Sequence, residues 1–168
     1  MTTNGKTTMA KAEYVIEAGK QDLTSTIVLD APRELVFKAY TDPELFAKWW
    51  GPRQYKNEIE TFDSRRGGSW RVIQVGADGS RHAFRGVNHD VVAPERICAT
   101  FEYEGVPGHV ALQTATFEAL GNTTRVVAHL VFESVMDRDG MVASGMQEGA
   151  DESTDRLAEL LTELKRSR

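Results

Sequence analysis

The amino-acid sequence predicts an α+β domain: a curved, seven-stranded antiparallel sheet, two short helices after its first strand, and a long C-terminal helix laid across it. Three observations carry this. Strand-like alternation fills the middle of the chain, while helical periodicity is confined to a short early stretch and to the end. The connections between the strand-like runs are tight turn signals, which allow hairpins but not crossovers. The last segment, DRLAELLTELK, places Leu157, Leu160, Leu161 and Leu164 on one face, a stripe suited to clamping onto a core.

The elements follow in order. Residues 1–20 read as a flexible tail, MTTNGKTTMAK being small and polar, and residues 21–168 as one domain. DLTSTIVLD is rich in β-branched residues and stops at Ala31-Pro32. Asp30 is a candidate cap for a helix that starts at Pro32 and carries Leu35, Val36 and Ala39 as its apolar stripe. Thr41-Asp42-Pro43 opens a second short helix, which Gly51-Pro52 ends directly after Trp49 and Trp50. Six strand-like runs follow: KNEIETFDS, SWRVIQV, RHAFRGVNHDVV, RICATFEY, VALQTATFEA and TRVVAHLVFE. Helical period returns at Asp137, and one helix is expected over about Met141 to Lys165.

Composition narrows the function classes. A chain of 168 residues with 40% hydrophobic content builds one sizeable core. The net charge of -5 and scattered basic residues argue against nucleic acid or an anionic membrane as partner. No apolar run approaches the roughly 20 residues of a membrane span, and Met1 to Gly19 lacks the apolar centre of a secretion signal. The single cysteine, Cys98, reads as a small buried residue and suits a reducing compartment, so a cytoplasmic location is expected.

Motifs for metal or covalent chemistry are missing from the pattern. HExxH and CxxC do not occur, and His82 and His89 point to opposite faces of a regular strand. DRDG begins like a calcium loop, but Met141 and Val142 stand where a ligand and the turning glycine belong. Gly67-Gly68-Ser69-Trp70-Arg71 lacks the final glycine of a nucleophile elbow. Glu148, Asp151, Glu152 and Asp155 form a solvated helix face. The expectation is no metal and no cofactor.

The unevenness of the final helix points to a hollow. Its first half offers Met141, Val142, Met146, Gly149, Ala150 and Ser153, where a filled core would use leucine or phenylalanine. Small and adaptable groups opposite a large sheet enclose space. The alternative is close packing, with Phe84, Phe101 or Trp70 reaching across. If Phe117 and Ala115 face inward, so does Gln113; an inward Phe84 brings Gly86 and Asn88; an inward Trp70 brings Val72 and Gln74. One indole of the Trp49-Trp50 pair is expected under the first short helix, and the other, with Pro52 and Tyr55, at the mouth of the hollow; the alternative is that both fill the core. The expected pocket wall is Trp50, Trp70, Phe84, Phe101, Met146 and Gly149, with Asn88 and Gln113 as its polar points.

The run DAPRELVFKAYTDPELFAKWWGP, then RRGGSW, RGVNHDVVAPERI, NTTRVVAHLVFES and GMQEGADESTDRLAELL, resembles the Hsp90-ATPase-activator-like (AHSA1-type) branch of the START/Bet v 1 (SRPBCC) superfamily over roughly residues 22–165. The resemblance implies the helix-grip fold, with a long C-terminal helix closing an internal cavity. Many members carry a Gly-Trp step where this chain has Gly149-Ala150, which implies a roomier pocket. Superfamily members bind lipids, polyketides and hormones, and some are cyclases or hydrolases, so the resemblance alone names no activity. Three functions are therefore carried. The first is binding of a small hydrophobic or amphipathic ligand. The second is an enzyme of the cyclase or hydrolase type, using Arg85, His89 or Asn88 as its polar pocket residue. The third is a cochaperone-like protein-interaction module.

Overall fold

The computed structural model describes residues 12–167. Residues 1–11 of the expected tail lie outside the described part. Its elements are β1 (Glu13–Val15), β2 (Asp22–Leu29), α1 (Arg33–Thr41), α2 (Pro43–Trp49), β3 (Tyr55–Phe62), β4 (Ser69–Gly76), β5 (Arg81–Val92), β6 (Arg96–Tyr103), β7 (Val110–Leu120), β8 (Thr123–Val131), α3 (Val135–Ala143) and α4 (Met146–Arg166). One antiparallel sheet runs in the order β1-β2-β8-β7-β6-β5-β4-β3. Consecutive hairpins carry the chain from β3 to β8, which then pairs with β2, so the chain's two halves close against each other.

Two expectations need correction. The sheet has eight strands, not seven, because Glu13–Val15, placed in the tail from sequence, pairs with Thr24–Thr26. Three residues are too few for an alternating pattern; what holds them is tertiary, the Tyr14 hydroxyl donating to Asp151 Oδ1 at 3.0 Å across on α4. The expected single terminal helix is two. Gly145 adopts φ 87°, a left-handed conformation that α3 and α4 cannot share, and the chain turns there. Ser134 caps α3 by accepting the Asp137 N–H.

Local chemistry accounts for the short helices. Asp42 accepts from the Glu44 and Leu45 N–H groups and Pro43 takes the first turn of α2, as its sequence predicts. Asp30 does not cap α1, whose N-cap is Pro32 with no side-chain bond. The buried core falls into two clusters. The larger joins Leu35, Val36, Phe37 and Ala39 of α1 to Leu29, Phe117 and Val126 of the sheet and Leu157, Leu160 and Leu161 of α4. A smaller cluster of Leu23, Ala111 and Phe132, with Met141 and Met146 against it, sits at the other end. Between the two the sheet and helix do not meet.

Candidate functional site

A cavity of about 360 Å³ occupies this gap, within the usual range for a small-molecule site. Its floor is the inner face of the sheet, paved with small residues: Ser25 pairs with Ala128, which pairs with Ala115. Its roof is the first two turns of α4, with Met146, Gly149, Ala150 and Ser153, joined by Met141 of α3. Aromatic rings form the side wall. Trp50, Trp70 and Phe101 chain together with ring centroids 6.3 and 6.1 Å apart, and Phe46 stacks on Trp50 at 5.4 Å. Gly86 makes this wall possible. It stands opposite Trp70 in the β4–β5 register, and a side chain there would collide with the indole.

The adjacent tryptophans divide because α2 ends between them, Trp50 being its C-cap in an extended conformation with φ -71° and ψ 132°. Trp49 is buried, packs on Tyr40 of α1 with centroids 4.8 Å apart, and donates from Nε1 to the Ala39 carbonyl at 2.9 Å. Trp49 also borders the cavity, and Trp50, one position on, lines it beside Trp70. The loop that follows is tied to α4. The Arg156 guanidinium donates to the carbonyls of Lys48, Trp50, Gly51 and Pro52 at 2.8–3.3 Å, and Ser153 Oγ accepts the Gly51 N–H at 2.6 Å. Burial pulls the Arg156 pKa below its ordinary value, and Arg53 nearby adds to the effect.

Of the eight residues expected to form the site, Trp50, Trp70, Asn88, Phe101, Gln113, Met146 and Gly149 line the cavity. Phe84 does not. It shares the inward face but lies behind Trp50, edge-on with centroids 5.1 Å apart, and stacks on Tyr103 at 5.1 Å. That occlusion comes from Trp50, the C-cap of α2, and has no counterpart in the strand's own sequence. Tyr55, expected at the mouth, packs instead on His82. Tyr40, Phe46, Ser25 and Tyr14 line the cavity without having been singled out. Tyr40 could have been found: it lies four residues after Val36 on the apolar stripe of α1.

Polar side chains in the wall sort by whether the protein already uses them. Thr41 bonds to Phe37 O, Ser64 to Thr41 O and Thr154 to Ala150 O, while Asn88 Nδ2 donates to Asp63 O at 2.8 Å. Gln113, Ser25 and Tyr40 hydrogen-bond to no other side chain or backbone group among the described residues. Burial raises the Tyr40 phenol well above its ordinary pKa, so it is a neutral donor. No Asp, Glu, Lys, Arg or His lines the cavity among the described residues. Of the acid–base candidates, Arg85 pairs with Glu102 at 2.7 Å and His89 is exposed; only Asn88 reaches the cavity.

Away from the cavity, His109, Glu133 and Asp137 come together on the surface, with His109 Nδ1 and Asp137 Oδ1 2.9 Å apart. The bond to Asp137 raises the His109 pKa. Cys98 is buried on the sheet, where the Thr114 hydroxyl donates to its sulfur at 3.4 Å. Among the described residues, no helix is long and apolar enough to cross a membrane.

A single sheet gripped by a terminal helix over an internal cavity defines a helix-grip protein of the START-like class. The chain belongs to the activator of Hsp90 ATPase homolog 1-like family, whose model matches residues 30–162. Among solved structures, a protein from Arthrobacter aurescens is similar at 24% identity, with a TM-score of 0.83 over 90% of this chain and 91% of that one. One from Chromobacterium violaceum is 28% identical, with a TM-score of 0.72 over 83% of this chain and 96% of that one. The AHSA1 protein of Silicibacter pomeroyi is 21% identical, with a TM-score of 0.70 over 88% and 99%. None of the curated proteins matches the chain.

Proposed function

We propose that this protein binds a small hydrophobic or amphipathic molecule, without transforming it, in the cavity between the sheet and α4. The observation that carries the reading is the cavity itself: about 360 Å³, walled by Trp50, Trp70 and Phe101, with no ionisable acid–base pair in its lining among the described residues. A largely apolar wall offers binding energy, while general acid–base chemistry needs a titratable group within reach of the ligand. Burial of apolar surface is worth roughly 25 cal/mol per Å², so a bicyclic aromatic burying about 250 Å² gains roughly 6 kcal/mol, a dissociation constant in the tens of micromolar.

Titration with the neutral dye N-phenyl-1-naphthylamine tests this. Wild-type protein is expected to raise its fluorescence with saturable, roughly stoichiometric binding. Gly149 sits in a helix with only Pro52 near its missing side chain, at 3.7 Å, so Gly149→Trp points an indole into open space. That variant should lose the dye at least about tenfold while still unfolding cooperatively in urea. Ala150→Trp, one position on in the same roof, is the second blocker. Dye binding that wild type lacks, or that both folded variants retain, overturns the proposal. Native mass spectrometry of protein purified from its own host then reads the mass of the physiological occupant.

A further inference from the structure

We infer that the cavity is built for an uncharged aromatic molecule carrying a hydrogen-bonding oxygen, read by Gln113 and Asn88 across Ala99, and that it rejects the same molecule as an anion. This rests on the cavity being the binding site and goes beyond it by fixing the ligand's charge and polar end. The register is the first support. Asn88 pairs with Ala99, and Ala99 pairs with Gln113, so the two amides flank one methyl group in a single cross-strand row. Two strand spacings separate them by roughly 10 Å, and the alanine leaves the space between open. Asn88 spends one N–H of its Nδ2 on the Asp63 carbonyl, which leaves the second N–H to donate and its oxygen to accept. Gln113 spends neither end of its amide on another described residue. A polar side chain lining a mainly apolar cavity without a protein partner is completed by a ligand or a water.

The second support is what lies beside that row. Phe101 follows Ala99 on the same face of β6, and Trp70 and Trp50 continue from it with centroids 6.1 and 6.3 Å apart. A flat ring held against this wall places an oxygen substituent over Ala99. The third support is electrostatic. Charged groups on the surrounding elements are turned away or occupied. Arg156 is held by loop carbonyls, Arg85 and Glu102 pair with each other, as do Arg71 and Glu104, and Asp151 accepts the Tyr14 hydroxyl at the rim. An anion in the cavity would lose its water and find no cation to replace it.

The test displaces N-phenyl-1-naphthylamine from the full chain with three probes of one size: 2-acetylnaphthalene, 2-ethylnaphthalene and 2-naphthoate. The ketone is expected to displace the dye at a concentration at least about tenfold below that needed by the carboxylate. Gln113→Leu should shift the ratio of ketone to ethyl affinity at least about fivefold toward the ethyl compound, each displacement being corrected for the variant's own dye affinity. A carboxylate within tenfold of the ketone, or better, overturns the inference while dye binding leaves the cavity reading intact. An unchanged ketone-to-ethyl ratio in the variant removes Gln113 as the reader and overturns it equally. Dye that never binds the wild type sinks the cavity reading first, and this inference with it.

Discussion

At Trp49 the indole N–H meets the Ala39 carbonyl in the last turn of α1, a group that would otherwise have no helical partner. The neighbouring Trp50 bonds nothing through its ring nitrogen among the described residues and supplies area to the cavity. Trp49→Phe should therefore destabilise the fold by about 1–3 kcal/mol in urea unfolding, through the orphaned carbonyl and lost packing. Trp50→Phe should cost less stability and more dye affinity. Glu102 makes a separate case on the opposite face. Its carboxylate accepts the Gly108 N–H at 2.8 Å and pairs with Arg85, and these contacts hold its pKa below the ordinary value. A depressed carboxylate contributes stability that is complete above its unfolded pKa and is lost as pH falls through the folded one. The 104–109 hairpin should thus loosen below the ordinary glutamate range. Glu102→Gln should remove that part of the acid sensitivity in pH-dependent unfolding, and an unchanged pH profile would show the carboxylate contributes none.

Among the elements, α2 and α4 share the larger core cluster through Trp49 and Leu157, and Arg156 adds a polar tie whose four backbone acceptors all lie in residues 48–52. Arg156→Ala should leave these carbonyls exposed and speed amide hydrogen exchange over residues 48–55, while β7 and β8 keep their protection. Uniform loss of protection would instead make Arg156 a global stability residue. The strands and short helices were legible because period 2, period 3.6 and the Asp42-Pro43 cap are local signals. Gln113 was legible for the same reason: Phe117 and Ala115 are buried, at 2% and 7% exposure, and set the phase of their strand. β1 was not, since three residues carry no period. The break at Gly145 was hidden too: Gly140, Gly145 and Gly149 look alike in the chain, and only Gly145 among them takes a left-handed φ. Phe84 was placed on the correct face, but the ring that covers it, Trp50, comes from the C-cap of α2.

Over the whole molecule, α4 is one helix with two jobs. Its second half is anchored, Leu157 and Leu161 being at 0% and 1% exposure against α1 and the sheet. Its first half spans the cavity from Met146 to Ser153. Stability and hollow are thereby separated along a single element: the protein holds an unfilled interior because the far end of the helix grips the sheet. The separation predicts unequal costs for similar truncations. Leu161→Ala opens a void in a close-packed site and should destabilise by about 2–5 kcal/mol. Met146→Ala removes a comparable side chain that packs on the smaller cluster on one side and faces the cavity on the other, so it should cost less, about 1–2 kcal/mol, while enlarging the cavity. Parallel urea titrations of the two variants decide this. Equal losses would mean that the roof is packed as tightly as the anchor, and that the helix does not divide its work.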